Sequence, residues 1–203
     1  MKKFSFVRLI MPVLVMLIFV LFSSMGGDEK QSDTLDWKMG LQNVKTKEMV
    51  PFSAPVQSRT GEKFRLVIKP EANCYCYIVA ESSNNDEIGI LYSGKLEGGK
   101  DWLSSELELS PPRGSESIFV ITSKAEQTAL SQLISAYKSN SGPTQRRALM
   151  NEVFRIRSEV SLLKEVPEKP VLMGGSARGA PGNNEGVEFS GLGTYVKTIS
   201  LNH

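Results

Sequence analysis

Residues 35–44 alternate between apolar and polar side chains, and the apolar members fall at every second position. They are Leu35, Trp37, Met39 and Leu41. Successive side chains of a strand point to opposite faces of a sheet, so this pattern predicts a strand with one buried face.

Short apolar runs between turn-forming residues predict further strands along the chain. They occupy residues 64–68, 74–80, 88–92, 103–109, 118–121, 187–189 and 195–201, with a shorter piece at 171–173. The polar cluster at residues 82–86 predicts a hairpin between the strands on either side of it. Pro51 and Pro55 restrict their own segment to a loop or an edge strand.

Helical spacing replaces the strand patterns after residue 124. One helix is predicted from four apolar residues, Leu130, Leu133, Ile134 and Tyr137. Residues 139–143 interrupt the pattern, and Thr144 is a suitable N-cap for a second helix over residues 145–164. The two helices form a helical insertion over residues 125–165.

The second helix carries an apolar stripe with alternating steps of four and three residues. Its members are Leu149, Val153, Ile156, Val160 and Leu163. The stripe is shorter than the roughly three or four heptads typical of a coiled coil, which favours a helical hairpin packed on the sheet. The alternative is a partner-facing surface or a dimer seam, so these five residues are the candidate partner-binding stripe.

The first 27 residues have the layout of a secretory signal: a basic start, an apolar run over residues 9–22, and small residues at the end. Residues 4–25 are also near the roughly 20 residues that span a bilayer, so an uncleaved anchor is an equal alternative. In both cases the basic residues hold the N-terminus on the cytoplasmic side of the membrane, and residues 28–203 are exported as one β-rich domain.

Charge excludes one large class of function. The chain has 24 Lys plus Arg and 22 Asp plus Glu, but three of the basic residues lie in the leader. Residues 28–203 therefore have 21 basic and 22 acidic residues, which argues against nucleic-acid binding. The single histidine, His203, lies at a terminus that we expect to fray, which disfavours His-based triads and metal sites. We predict no catalytic, cofactor-binding or metal-ligating residue.

The two cysteines, Cys74 and Cys76, are two positions apart in one predicted strand. Their side chains project from the same face, and a disulfide between them would strain the backbone. The favoured interpretation is two buried apolar residues, and the alternatives are an intermolecular disulfide or free thiols.

Several of these pieces occur in a recognisable order: the aromatic-containing strand 74–80, the turn 84–86, the strand 88–92, and the Pro-Pro-Arg-Gly-Ser-Glu segment 111–116 before an apolar strand. Over roughly residues 60–125, and more weakly near 195–201, the chain resembles the bacterial family called domain of unknown function 4384. The resemblance implies a small sandwich-like β-module that accompanies other domains in exported or signalling proteins. It implies no catalytic residues.

We therefore predict an α+β protein: a β-sandwich-like antiparallel sheet domain with an inserted helical hairpin, preceded by an apolar signal or anchor helix. The predicted function is a non-enzymatic interaction module of the cell envelope. Its partners would be envelope proteins, and its body would be periplasmic or held outside the cytoplasm by the anchor.

Two alternative functions stay open at this point. A small-ligand or glycan site would use an aromatic platform of Trp37, Trp102, Tyr92 and Tyr195, provided that the two tryptophans share an exposed face. A carboxylate-dependent hydrolase would need two acids about 5–9.5 Å apart, and no spacing in the sequence singles out such a pair.

Overall fold

The computed structural model describes residues 34–83, 88–161, 169–172 and 185–203. In these residues the strands β1 to β12 span, in order, Thr34–Asn43, Met49–Val50, Val56–Gln57, Lys63–Pro70, Cys74–Ser82, Ile88–Leu96, Trp102–Leu103, Leu107–Glu108, Ser115–Ser123, Lys169–Leu172, Glu185–Leu192 and Thr194–Asn202. Helices α1 (Thr128–Ser139) and α2 (Pro143–Ser161) lie between β9 and β10. The predicted leader, residues 1–27, lies outside the described residues.

The strands form two sheets. Sheet A has the order β10-β11-β1-β4-β7, with β2 paired to β1 and β8 paired to β4, and its pairs are antiparallel. Sheet B has the order β3-β12-β9-β5-β6 and is antiparallel except for the short parallel pair of β3 and β12. The chain crosses from sheet A to sheet B at Gly193, whose φ of +80° favours glycine.

The alternating pattern of β1 determines which side of sheet A is buried. Leu35, Trp37, Met39 and Leu41 are each at most 3% exposed. They pack with side chains from the facing side of sheet B, including Cys76, Ile78 and Val120, to form what we call the first core. The prediction of a strand with one buried face is confirmed.

The central strands of sheet B, β5 and β9, are buried on both faces. Cys74, Cys76 and Ile78 of β5 point into the first core, whereas Tyr77 and Val79 point to the opposite side. A strand covered on both faces has no polar face to alternate with, which explains the nearly continuous apolar run of β5 in the sequence.

The helical hairpin covers the outer face of sheet B. Its buried residues pack on Tyr77, Val79, Phe119 and Ile121 to form the second core, and they are Leu130, Ile134, Tyr137, Leu149, Met150, Val153 and Ile156. The described residues thus form three layers: sheet A, sheet B and the hairpin. This agrees with the predicted α+β sandwich with an inserted helical hairpin.

The start of α2 differs from the prediction. The helix begins at Pro143, and the Arg146 N–H donates to the Gly142 carbonyl at 3.0 Å. Thr144 therefore lies inside the first turn and is not the N-cap. Proline is favoured at the first helical position because no backbone N–H is required there, so Pro143 starts the helix instead of breaking it.

Residues 103–109 do not form the single strand that their alternation predicts. They contribute only the two short strands β7 and β8, both paired with β4. Ser104 explains the interruption. Its backbone N–H donates to the Leu66 carbonyl at 2.9 Å, but its Oγ, rather than its carbonyl, accepts from the Leu66 N–H at 2.9 Å.

Candidate functional site

A polar cleft of about 460 Å³ opens where the turn between the helices and the start of α2 face the end of β5. We call it the hairpin-turn cleft. Glu81 of β5 forms one wall, and the residues opposite are Ser141, Pro143, Arg146, Arg147, Met150 and Asn151. Buried Met150 is an apolar part of the lining.

A tyrosine hydroxyl joins the end of α1 to the strand pair that carries Glu81. The Tyr137 hydroxyl at the end of α1 accepts a hydrogen bond from the Ile88 N–H at 3.0 Å. Ile88 is the register partner of Glu81 in the β5–β6 pair. The end of α1 is therefore fixed on the strand pair that carries the acidic wall.

Glu81 and Arg146 form an ion pair across the cleft, with Arg146 Nη2 donating to Glu81 Oε1 at 3.1 Å. Each side chain is 26% exposed, so the pair is better shielded from water than a fully exposed one. The two residues are 65 positions apart in the sequence, and their contact ties sheet B to α2.

Arg147, the neighbour of Arg146, is exposed on the same cleft. Among the residues that the structure describes, none forms an ion pair with Arg147. The lining thus contains two guanidinium groups and one carboxylate. A planar guanidinium presents several donors that match the oxygen atoms of a carboxylate or phosphate, so the arrangement is suited to an anion.

The predicted partner-binding stripe has a different environment. Leu149, Val153 and Ile156 are at most 3% exposed in the second core, and Val160 is half-buried against it. Leu163 lies outside the described part of the chain. At least three of the five residues are therefore covered by sheet B and are not a partner-facing surface in this structure, as expected for a hairpin packed on the sheet.

The expectation that His203 lies at a fraying end is wrong. His203 and Gly114 exchange two backbone hydrogen bonds, both at 3.0 Å. The imidazole has no exposed surface, and its Nδ1 is 3.3 Å from Thr60 Oγ1 while its Nε2 is 3.8 Å from Glu116 Oε1. This hydroxyl–imidazole–carboxylate order is that of a nucleophile triad. Because the ring is completely covered, we interpret the contacts as anchoring the end of β12.

Cys74 and Cys76 are free and buried, as the favoured interpretation predicts. Burial raises the pKa of the Cys74 thiol to about 11. Burial, followed by the neighbouring Cys74, raises the pKa of Cys76 well above its usual value. Both thiols are therefore protonated at neutral pH and are weak nucleophiles.

The proposed aromatic platform does not form around Trp37. This residue is 1% exposed and stacks on Phe189 at a centroid distance of 5.0 Å, so it belongs to the first core. Trp102 is half-buried and packs edge-on against Tyr92.

Within the described residues there is no group of three or more His, Cys, Asp or Glu placed to hold a metal ion.

The cleft was not apparent from the sequence. Glu81 lies at the end of an apolar strand, and an acidic residue in that position is normally expected to be a solvated side chain. The one usable signal was the Arg146-Arg147 doublet at the start of the second predicted helix. The first turn of this helix contains no acidic residue, and cations near a helix N-terminus are unfavourable with respect to the helix dipole, so the doublet does not stabilise the helix.

Comparison of the chain with protein-family models, with curated proteins and with solved structures found no match in any of the three. The resemblance to the domain of unknown function 4384 stays a prediction. No helix among the described residues has the length and apolar character needed to cross a membrane.

Proposed function

We propose that the protein is an exported, non-enzymatic interaction module of the cell envelope whose helical hairpin docks on an acidic surface of an envelope protein. The observation that carries this proposal is the distribution of charge. Residues 128–161 contain five basic and two acidic residues, whereas the rest of residues 28–203 contains sixteen basic and twenty acidic residues. The hairpin is therefore a basic element on an otherwise acidic body, which favours an acidic partner.

The way the hairpin packs supports the same conclusion. Its apolar side chains fill the second core, so its outer side is presented on a fixed support. Lys138, Arg147 and Arg157 are exposed on the hairpin, and Phe154 is 40% exposed. Arginine and aromatic side chains are enriched at protein interfaces.

One part of the outer side is already neutralised. Arg155 donates to both carboxylate oxygens of Glu152, at 2.8 and 2.7 Å, and to Glu159 at 2.5 Å. The hydrogen bonds from Arg155 lower the pKa of Glu152, so this pair stays ionised at neutral pH. Lys138, Arg147 and Arg157 are the cations that supply the attraction to an acidic partner.

Export is part of this proposal and rests on the leader. If residues 4–25 are retained, they anchor the body to the membrane with residues 28–203 outside the cytoplasm. If the leader is cleaved near Gly27, the body is periplasmic.

The experiment is amine-reactive crosslinking in cells that express the full chain with a C-terminal tag, followed by mass spectrometry. We expect an acidic envelope protein crosslinked through Lys138, lost in the Arg157→Glu variant and kept in Lys45→Glu. Lys45 is an exposed cation in the β1–β2 turn and controls for the change in total charge. Equal crosslinking in both variants, or none at the hairpin, contradicts the docking proposal. The N-terminal peptide separately reports cleavage or retention of the leader.

Small-ligand binding is the second candidate function. The hairpin-turn cleft favours it, because a concave polar site of about 460 Å³ lies in the range of about 300–1,000 Å³ typical of ligand pockets.

A further inference from the structure

We propose that the hairpin-turn cleft binds a small ligand through a carboxylate or phosphate group, with Arg147 as the principal charged contact. This inference names a ligand class for the second candidate function and rests on that candidate. It does not require the docking of a protein partner.

The two arginines of the cleft have different roles. Arg146 is engaged with Glu81 at 3.1 Å, so its charge is largely compensated and its side chain is held in place. Arg147 is exposed in the same lining, and no described residue pairs with it. Arg147 is therefore the cation available to an incoming anion, and the fixed Arg146–Glu81 pair shapes the wall beside it.

Glu81 limits how much negative charge the cleft accepts. Its carboxylate leaves a net charge of one positive unit among the charged lining residues Glu81, Arg146 and Arg147. A ligand with one anionic group matches this balance, whereas a polyanion would be repelled by Glu81. The volume of about 460 Å³ also fits a small molecule.

The rest of the lining indicates what surrounds the anionic group. Ser141 and Asn151 can donate hydrogen bonds to ligand oxygen atoms, and both are exposed at the cleft. Met150 offers an apolar contact. The expected ligand therefore combines one anionic end with a short, partly apolar body.

The test measures thermal unfolding of the purified full chain in mild detergent, with inorganic phosphate, butyrate or chloride at equal ionic strength. The variants are Arg147→Gln and, as a matched control, Arg157→Gln, which removes the same charge from an exposed position on the same helix outside the cleft lining. Both substitutions are at exposed positions, so both variants are expected to fold.

We expect phosphate or butyrate to raise the unfolding temperature relative to chloride in the wild type and in Arg157→Gln. In Arg147→Gln the apparent affinity should fall by about tenfold or more, since a hydrogen-bonded charge is lost. A response to phosphate alone identifies phosphate compounds, and a response to butyrate alone identifies monocarboxylic acids. An unfolding temperature that is independent of the anion, or that responds equally in both variants, overturns the inference. Because no partner is present, that result leaves the docking proposal intact.

Discussion

The two cores of the molecule share sheet B but differ in whether their buried polar side-chain atoms have hydrogen-bond partners. In the first core, two buried polar atoms, Trp37 Nε1 and Thr122 Oγ1, have no hydrogen-bond partner among the described residues. In the second core, both buried tyrosine hydroxyls are bonded. Tyr77 contacts Ser131 at 3.1 Å and accepts from the Gln127 N–H at 3.0 Å, and Tyr137 accepts from the Ile88 N–H.

This difference has a physical reason. Sheets A and B are each held together by ladders of backbone hydrogen bonds, and side chains from many strands of both sheets pack together in the first core. A helix layer shares no such ladder with the sheet beneath it, and apolar packing is not directional. The tyrosine hydroxyls and the Glu81–Arg146 pair supply the directional contacts that set where the hairpin lies, and thereby form the cleft.

The largest expected effect comes from removing packing in the first core. Trp37→Ala should lower the free energy of unfolding by roughly 3–5 kcal/mol, because a fully buried indole leaves a cavity. Denaturant titration followed by circular dichroism measures this change. Loss of the fold as a single transition would show that the second core does not survive without the first.

Trp37→Phe is the matched control. It keeps an aromatic ring beside Phe189, and the indole N–H that it removes has no partner among the described residues. The variant should therefore retain most of the stability that Trp37→Ala loses. An equally large loss in both variants would mean that the indole N–H has an essential contact.

The same two regions differ in how well the sequence predicted them. β1 has one buried face, and its alternation gave the correct strand and the correct buried residues. β5 is buried on both faces, so its apolar run predicted a buried strand but not which of its side chains face each core. The stripe on α2 predicts a packed helix but not where the helix starts, because proline can interrupt a helix and is also favoured at its first position.

The cleft could not be predicted, because it depends on contacts between distant residues. Glu81 and Arg146 are brought together by the crossing of sheet B and α2, and neither has a local pattern that marks the contact. The interruption at Ser104 also depends on a residue distant in the sequence, Leu66. The Ser104 side chain replaces one hydrogen bond of the ladder, and this divides a strand that the alternation predicts as continuous. The ordered position of His203 is not predictable from its neighbours either, because it depends on backbone hydrogen bonds to the distant Gly114.

Alkaline pH should weaken the first core selectively. Unfolded thiols ionise near pH 9, whereas burial raises the pKa of folded Cys74 to about 11. The stabilisation from keeping the Cys74 thiol neutral is complete below about pH 9 and is lost as pH rises through about 11, a change of roughly 2–3 kcal/mol. Denaturant titrations under reducing conditions measure it, with a Cys74→Ala/Cys76→Ala double variant as the control. An identical pH dependence in wild type and double variant would contradict the assignment.

The smallest expected effect tests the directional contacts of the second core. Tyr137→Phe keeps the ring but leaves the Ile88 N–H without its acceptor, so the free energy of unfolding should fall by about 1–1.5 kcal/mol. Tyr92→Phe is the control, since the Tyr92 hydroxyl donates to the Lys95 carbonyl at an exposed position and its loss should be nearly neutral. Hydrogen exchange should also show faster exchange at the end of α1 in Tyr137→Phe, with β1 unchanged. Equal stabilities for the two variants would mean that apolar packing alone positions the hairpin, and the distinction between the two cores would then fail.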